Sequence, residues 1–321
     1  MSRIAIPEPI SGGVMLSYKC SAACKHCMYA CSPRWDADWI SEQDLARGLA
    51  GLAPHIQPSP WGSSSMSLNH GLHFSGGEPF LNYDLLLRAV EMARDLHIPS
   101  LFAETNCYWC RDDDLVRERL TALREAGLAG ILISVNPFYA EYIPFERTET
   151  CIRISGDVFG RIVMVYQAEY YHRFRRLGVQ KRMSLAEYQG LLQGECLADG
   201  VELFLMGRAA HQLRSYYPAY PAYRFFGQPC RPTFLRNWHN HFDNYGNLVA
   251  GYCGGISLGS WYDLDTLSGE GIDLNDHPVM GYLIAEDIEG LLRFAQTHYA
   301  YRESTQGYLS KCDLCLDLRS H

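Results

Sequence analysis

Apolar runs and amphipathic segments alternate through the first two thirds of the chain, the pattern of repeated βα units rather than of an all-β or all-α protein. Val14 to Tyr18 predicts a first strand that runs into a cysteine-rich loop. Ser41-Glu42-Gln43-Asp44 reads as a helix start, a capping serine before an acidic first turn, and Leu45, Leu49 and Leu52 follow at helical spacing. A second unit pairs a strand over Leu72 to Ser75 with a helix over Tyr83 to Leu96. A third pairs Leu101 to Glu104 with Asp112 to Ala126. Gly130 to Val135, Arg161 to Tyr166 and Val201 to Leu205 supply a fourth, fifth and sixth strand. Parallel strands joined by helical crossovers gather their loops at one end, so residues just after each strand can converge on one site.

Between Ser215 and Cys230 the text becomes SYYPAYPAYRFFGQPC, an aromatic and proline-rich stretch that cannot continue a helix. A domain boundary is placed here, dividing residues 1–215 from 216–321. Beyond it, Asn237 to Phe242 and Leu248 to Tyr252 flank Asn244-Tyr245-Gly246-Asn247, a plausible hairpin turn, and a last helix is predicted over Met280 to Tyr299. His239 and His241 straddle Asn240 on that hairpin, where an alternating solvent face is the default reading. No internal repeat or low-complexity tract is present.

Composition narrows the class. The 321 residues are 47% hydrophobic, and the formal net charge of -8 argues against a nucleic-acid backbone as partner. The start carries neither a basic nor an apolar targeting region, and no window approaches the ~20 apolar residues that would span a bilayer. A soluble cytoplasmic protein without a membrane partner is expected. Twelve cysteines, several at CxxC or CxxxCxxC spacing, point to metal or redox chemistry rather than a disulfide framework.

Cys20-Ser21-Ala22-Ala23-Cys24-Lys25-His26-Cys27 follows the first strand directly. Three thiolates in tight register suit an iron–sulfur cubane and leave one iron without a protein ligand. A zinc site or ordinary ferredoxin cluster, with Cys31 as fourth ligand, is the competing reading. Ser75-Gly76-Gly77-Glu78-Pro79 follows the second strand, its glycines letting backbone approach a ligand and its acid suiting an ammonium.

Together these two segments resemble the radical S-adenosylmethionine (SAM) superfamily, with its CxxxCxxC loop, an aromatic residue (here His26) before the third cysteine, and a GGEP motif. The resemblance implies a partial (β/α)6 TIM-type barrel. It also implies a [4Fe–4S] cluster on Cys20, Cys24 and Cys27 that binds SAM, whose amino group Gly76, Gly77 and Glu78 would hold. Ser134, Asn136 and Arg208 resemble family positions that line the SAM ribose or carboxylate. So do Thr105-Asn106, whereas the family's glycine-rich fifth-strand adenine motif is not evident.

After the boundary, Cys230, Cys253, Cys312 and Cys315 run single, single, CxxC. The order resembles the twitch domain, the shortened SPASM extension, which implies a small C-terminal iron–sulfur domain with a second auxiliary [4Fe–4S] cluster; zinc is the alternative. Cys107-Tyr108-Trp109-Cys110 after the third strand reads as two reduced, packed cysteines, with a redox pair as the alternative, and Cys151 and Cys196 default to burial.

In the family, reductive cleavage of SAM yields a 5'-deoxyadenosyl radical that abstracts hydrogen from a substrate carbon. The electron comes from a donor such as flavodoxin or ferredoxin. The resemblance favours modification of a peptide or protein by crosslinking, epimerisation or oxidation. Dehydrogenation or epimerisation of a small biosynthetic metabolite is the second reading, and a non-enzymatic iron–sulfur electron carrier the third. No residue identifies itself as catalytic acid or base; Glu104, Glu141, Tyr142 and Tyr166 merely stand near strand ends.

Overall fold

The computed structural model describes residues 3–192, 194, 197 and 203–321. Its centre is an eight-stranded sheet: β1 (Ser11–Met15), β2 (Gly71–Ser75), β3 (Phe102–Thr105), β4 (Gly130–Ser134), β5 (Val163–Tyr166), β6 (Asn240–Phe242), β7 (Asn247–Val249) and β8 (Ser257–Ser260). In space the order is β5-β4-β3-β2-β1-β6-β7-β8. Strands β1 to β5 are parallel and follow the chain in order, as expected of an open α/β barrel.

The crossovers are helices because their apolar positions recur on one face and their ends are capped. In α1 (Glu42–Leu52), Ser41 accepts from the Asp44 amide, and Leu45, Leu49 and Leu52 are buried. Asn82 caps α2 (Tyr83–Asp95) and Asp112 caps α3 (Asp113–Ala126), which stops at Gly127. The helix α4 (Phe145–Phe159) buries Cys151, Ile154 and Val158, and it packs on α3 and on β4 and β5.

Three predicted elements differ. Of the sixth strand, Val201 and Glu202 lie outside the described residues, and residues 203 to 206 form no strand. The sheet grows instead at its opposite edge, where β6 pairs in parallel with β1, Gly12 opposite Asn240 and Val14 opposite Phe242. The hairpin of β6 and β7 is therefore part of the same sheet as the barrel strands, and β8 extends it. The predicted last helix is two, α5 (Pro278–Ile284) and α6 (Ile288–Tyr299), because Glu286 adopts a left-handed φ of 61° between them. The final helix, α7 (Lys311–Arg319), is capped by Ser310. No helix among the described residues is long and apolar enough to cross a membrane.

Candidate active site and its cysteine centres

Beyond β1 the chain leaves the sheet as the loop bearing Cys20, Cys24 and Cys27, all free thiols, the first two buried and the third half-buried. Neighbouring elements hold this loop from several sides. Asn106, just after β3, donates from Nδ2 to Cys20 Sγ at 3.7 Å, and the Tyr142 hydroxyl donates to the Ala23 carbonyl at 3.1 Å. Arg208 donates to the carbonyls of Cys24 at 2.8 Å, Cys31 at 2.7 Å and Ala30, and its amide donates to the Cys27 carbonyl at 3.1 Å. The structure thus places Arg208 on the carbonyl groups of the loop, bracing the cysteines. Burial pushes Cys20 up to about 12 and Cys24 well above the ordinary thiol value, whereas a hydrogen bond from the Cys31 thiol holds Cys27 down at about 6.

The Gly-Gly-Glu-Pro segment is laid against this loop. The Gly77 amide donates to the Ser17 carbonyl at 2.8 Å and the Glu78 amide to that of Lys19 at 3.0 Å. A Cβ on Gly76 would lie 2.4 Å from Ser17 O, and one on Gly77 would lie 1.8 Å from Lys19 O. These glycines are required by main chain packed on main chain, a nearer reason than approach to a ligand. The Glu78 side chain turns inward. Its carboxylate accepts from Thr105 Oγ1 at 3.0 Å, the Asn106 amide at 2.8 Å and the Phe80 amide at 3.3 Å, and burial raises its pKa to about 8.

Beside the loop opens a cavity of about 210 Å³, whose lining includes His26, Gly76, Glu104, Ser134, Tyr139 and His241. Ser134 reaches it as the last residue of β4. The His26 ring stacks on Phe138 with centroids 4.8 Å apart and meets Tyr139 edge-on. Burial lowers its pKa to about 3, so it is neutral, and its buried Nδ1 has no hydrogen-bond partner. Asn136 stands behind it: Nδ2 lies 3.1 Å from His26 Nε2 and donates to Gln167 Oε1 at 3.0 Å, while Oδ1 accepts from the Phe138 and Tyr139 amides.

Four groups to which the sequence assigns no role line this cavity together: Glu104, marked only as standing near a strand end, His239 and His241, read as a solvent face, and Tyr29, not singled out at all. Glu104 accepts from the Ser75 hydroxyl at 2.8 Å and lies 3.4 Å from His73 Nε2; its enclosure raises its pKa to about 7. The Tyr29 hydroxyl lies 2.9 Å from His241 Nδ1. The expected solvent face for His239 and His241 is corrected, since both line the cavity and pack on the His73 ring, and His241 is buried. Glu141 instead pairs with Lys25 outside the cavity.

Cys230, Cys253, Cys312 and Cys315 line a second cavity of about 40 Å³ together with Lys311 and Arg319. Cys230 precedes the helical turn Arg231–Phe234, Cys253 follows β7, and Cys312 and Cys315 lie in α7. Burial raises Cys253 to about 12 and Cys312 to about 11. The two cysteine regions share a wall: a Cβ on Gly207 would lie 2.1 Å from the Met28 carbonyl oxygen, and one on Gly254 2.7 Å from it.

No known family pattern matches the chain, and no curated protein matches it. Among solved structures, the chain is similar to BtrN in complex with AdoMet and 2-DOIA, at 13% identity over 89% of this chain and 90% of that one, with a TM-score of 0.49. Native anSMEcpe with bound AdoMet is similar at 11% identity over 82% of each chain, TM-score 0.45. HydG, a maturase of the [FeFe]-hydrogenase, is similar at 13% identity over 54% of this chain and 41% of its own, TM-score 0.36.

Proposed function

We propose that the chain is a radical SAM enzyme, with residues 1–215 as its core and 216–321 as an auxiliary iron–sulfur unit. Cys20, Cys24 and Cys27 would hold a [4Fe–4S] cluster whose remaining iron takes SAM; Cys230, Cys253, Cys312 and Cys315 would hold a second, closed one. The carrying observation is a convergence at the carboxyl ends of the strands. The loop bearing three free thiols, through His26 and Cys27, meets Gly76, Glu104 and Ser134 at one cavity.

The residues fit the groups proposed. The first loop offers three soft donors and no fourth cysteine within its CxxxCxxC register, and Asn106 supplies a hydrogen bond to a cysteine sulfur, an interaction that tunes iron–sulfur centres. At the second site the thiols face two cations, Lys311 and Arg319, which offset the charge of a four-thiolate cluster. Cubane thiolates bind four different irons and stand wider apart than ligands of one ion. Accordingly, among the described residues neither set gathers within 4.8 Å, the spacing of a single-ion group.

When bound, cluster and SAM supply a 5'-deoxyadenosyl radical able to take hydrogen from an unactivated carbon. The chain's own residues orient and enclose. The neutral His26 ring and Ser134 offer polar groups to the cofactor without adding charge, and Tyr139, Tyr166 and Phe204 exclude water. Glu104, with its pKa near neutrality and its carboxylate toward the cavity, would accept the proton released when a substrate radical is oxidised. An external donor such as flavodoxin or ferredoxin would deliver the electron.

The substrate is proposed to be a peptide or protein that presents a side chain at the mouth of this cavity, beside the cofactor. Oxidation of a small metabolite is the second reading. Anaerobically reconstituted, reduced protein given SAM is expected to form 5'-deoxyadenosine. Intact clusters that never consume SAM would leave an electron carrier instead.

A further inference from the structure

Cys107, Cys110 and Cys151 bring their sulfur atoms within 4.8 Å of one another, and among the described residues they are the one group of three or more His, Cys, Asp or Glu side chains so placed. The exposures are 0%, 2% and 0%. From sequence, Cys151 had no partner. The fold supplies one by packing the middle of α4 under the turn that follows β3.

That turn is shaped to aim both of its thiols inward. Cys107 adopts a left-handed φ of 67°, a conformation a non-glycine residue takes only when its surroundings impose it. The Cys110 amide donates to the Cys107 carbonyl at 3.1 Å, and the Cys107 amide donates to Thr105 Oγ1 at 3.0 Å. Along α4, Arg147, Cys151 and Ser155 repeat at i, i+4 and i+8 and so share one face. Arg147 Nη1 donates at 2.7 Å to the Tyr108 carbonyl, between the two cysteines of the turn, and buried Ser155 sets its hydroxyl oxygen 3.9 Å from Cys151 Sγ.

We propose that Cys107, Cys110 and Cys151 bind one thiophilic divalent cation, zinc in the first instance. Thiolates at about 2.3 Å from a tetrahedral zinc stand roughly 3.8 Å apart, so the three sulfurs need close by only about an ångström. Binding converts three thiols and the dication into a tris-thiolate complex of net charge -1 with release of three protons. The Arg147 guanidinium, on α4 and bonded to the Tyr108 carbonyl of the turn, offsets that remaining charge, and the Ser155 hydroxyl, 3.9 Å from Cys151 Sγ, or a water would be the fourth donor. No oxidant is required, in contrast to a Cys107–Cys110 disulfide.

The ion would stiffen the segment that serves the first cysteine loop. Thr105 Oγ1, which accepts from the Trp109 indole at 3.0 Å, itself donates to Glu78, and Asn106 reaches both Glu78 and Cys20. The site is a positioning device, separate from both iron centres and independent of the reaction proposed above.

The test uses full-length protein expressed with added zinc and purified anaerobically with its iron in place. About one zinc per chain is expected, with zinc X-ray absorption reading about three sulfur neighbours near 2.3 Å and one lighter atom. Cys151→Ser should lower zinc at least about fivefold with iron unchanged, while Cys312→Ala/Cys315→Ala should keep it. The absorption measurement needs only the wild type, so it decides even if Cys151→Ser does not fold. Zinc with four sulfur neighbours, zinc lost with Cys312 and Cys315, a chain without zinc, or a Cys107–Cys110 disulfide in the intact mass would each overturn the proposal.

Discussion

Gly77 and Lys19 are packed so closely that a single methyl group on the glycine would overlap the lysine carbonyl, at 1.8 Å. The contact joins the two segments that carry the proposed cofactor chemistry, since Lys19 immediately precedes Cys20. Gly77→Ala must push them apart. Overpacking of this kind costs about 1–3 kcal/mol, so a lower melting temperature is expected. Iron should fall from about eight per chain to about four as the first cluster is lost and the second kept. A variant with full iron and unchanged melting would show the two segments to be independent.

The distal cysteines make the converse case. Cys312→Ala/Cys315→Ala removes half of the second thiol set and leaves the first loop untouched. About four irons per chain are expected to remain, still able to cleave SAM. Iron that stays at about eight would refute a cluster at this site.

Glu78 provides a pH signature. Burial raises its pKa from 4.5 to about 8, so the folded protein holds that proton more tightly than the unfolded chain does. The contribution to stability is therefore complete below about pH 4.5 and is lost as pH rises toward 8. Glu78→Gln keeps an acceptor for Thr105 and Asn106 without a titrating proton. Between those limits the wild type should lose stability relative to Glu78→Gln by up to about 1.4 kcal/mol per pH unit, read by urea unfolding in matched buffers. Parallel profiles for the two proteins would mean that Glu78 is solvated.

Glu104 separates proton transfer from cofactor cleavage. Glu104→Gln retains the shape and the acceptor for Ser75 but cannot take a proton. Substrate turnover is expected to fall about 10²–10⁴-fold while 5'-deoxyadenosine still accumulates. Loss of both activities together would place Glu104 in cofactor binding.

What the sequence reveals depends on how local each determinant is. The capping of α1 by Ser41, the leucine spacing within it and the CxxxCxxC loop are written in a few adjacent residues, and all can be read without the fold. Of the predicted sixth strand, Leu203 to Leu205 form no strand, because so short an apolar run has no pattern that separates a strand from other buried backbone. His241 was misread for a different reason. Alternation along a hairpin predicts a wet face only if nothing covers that face, and here the face of His239 and His241 lines the cavity beside His73 and Tyr29. Cys151 is more than forty residues from its partners, so only the packing of α4 against β3's exit reveals it.

The pairing of β1 with β6 also bears on how the chain matures. Residues 11 to 15 wait for residues 240 to 242 before their second edge is covered, a sequence separation of more than two hundred residues. Contacts that distant raise the entropic cost of folding and slow it. On the ribosome, the nascent β1 has its β2 partner early but stays open on the other side until residues 240 to 242 have emerged. The cysteine loop hangs from the end of that half-finished strand, so the chain gains its final hold on Cys20, Cys24 and Cys27 only after residues 240 to 242 have joined the sheet.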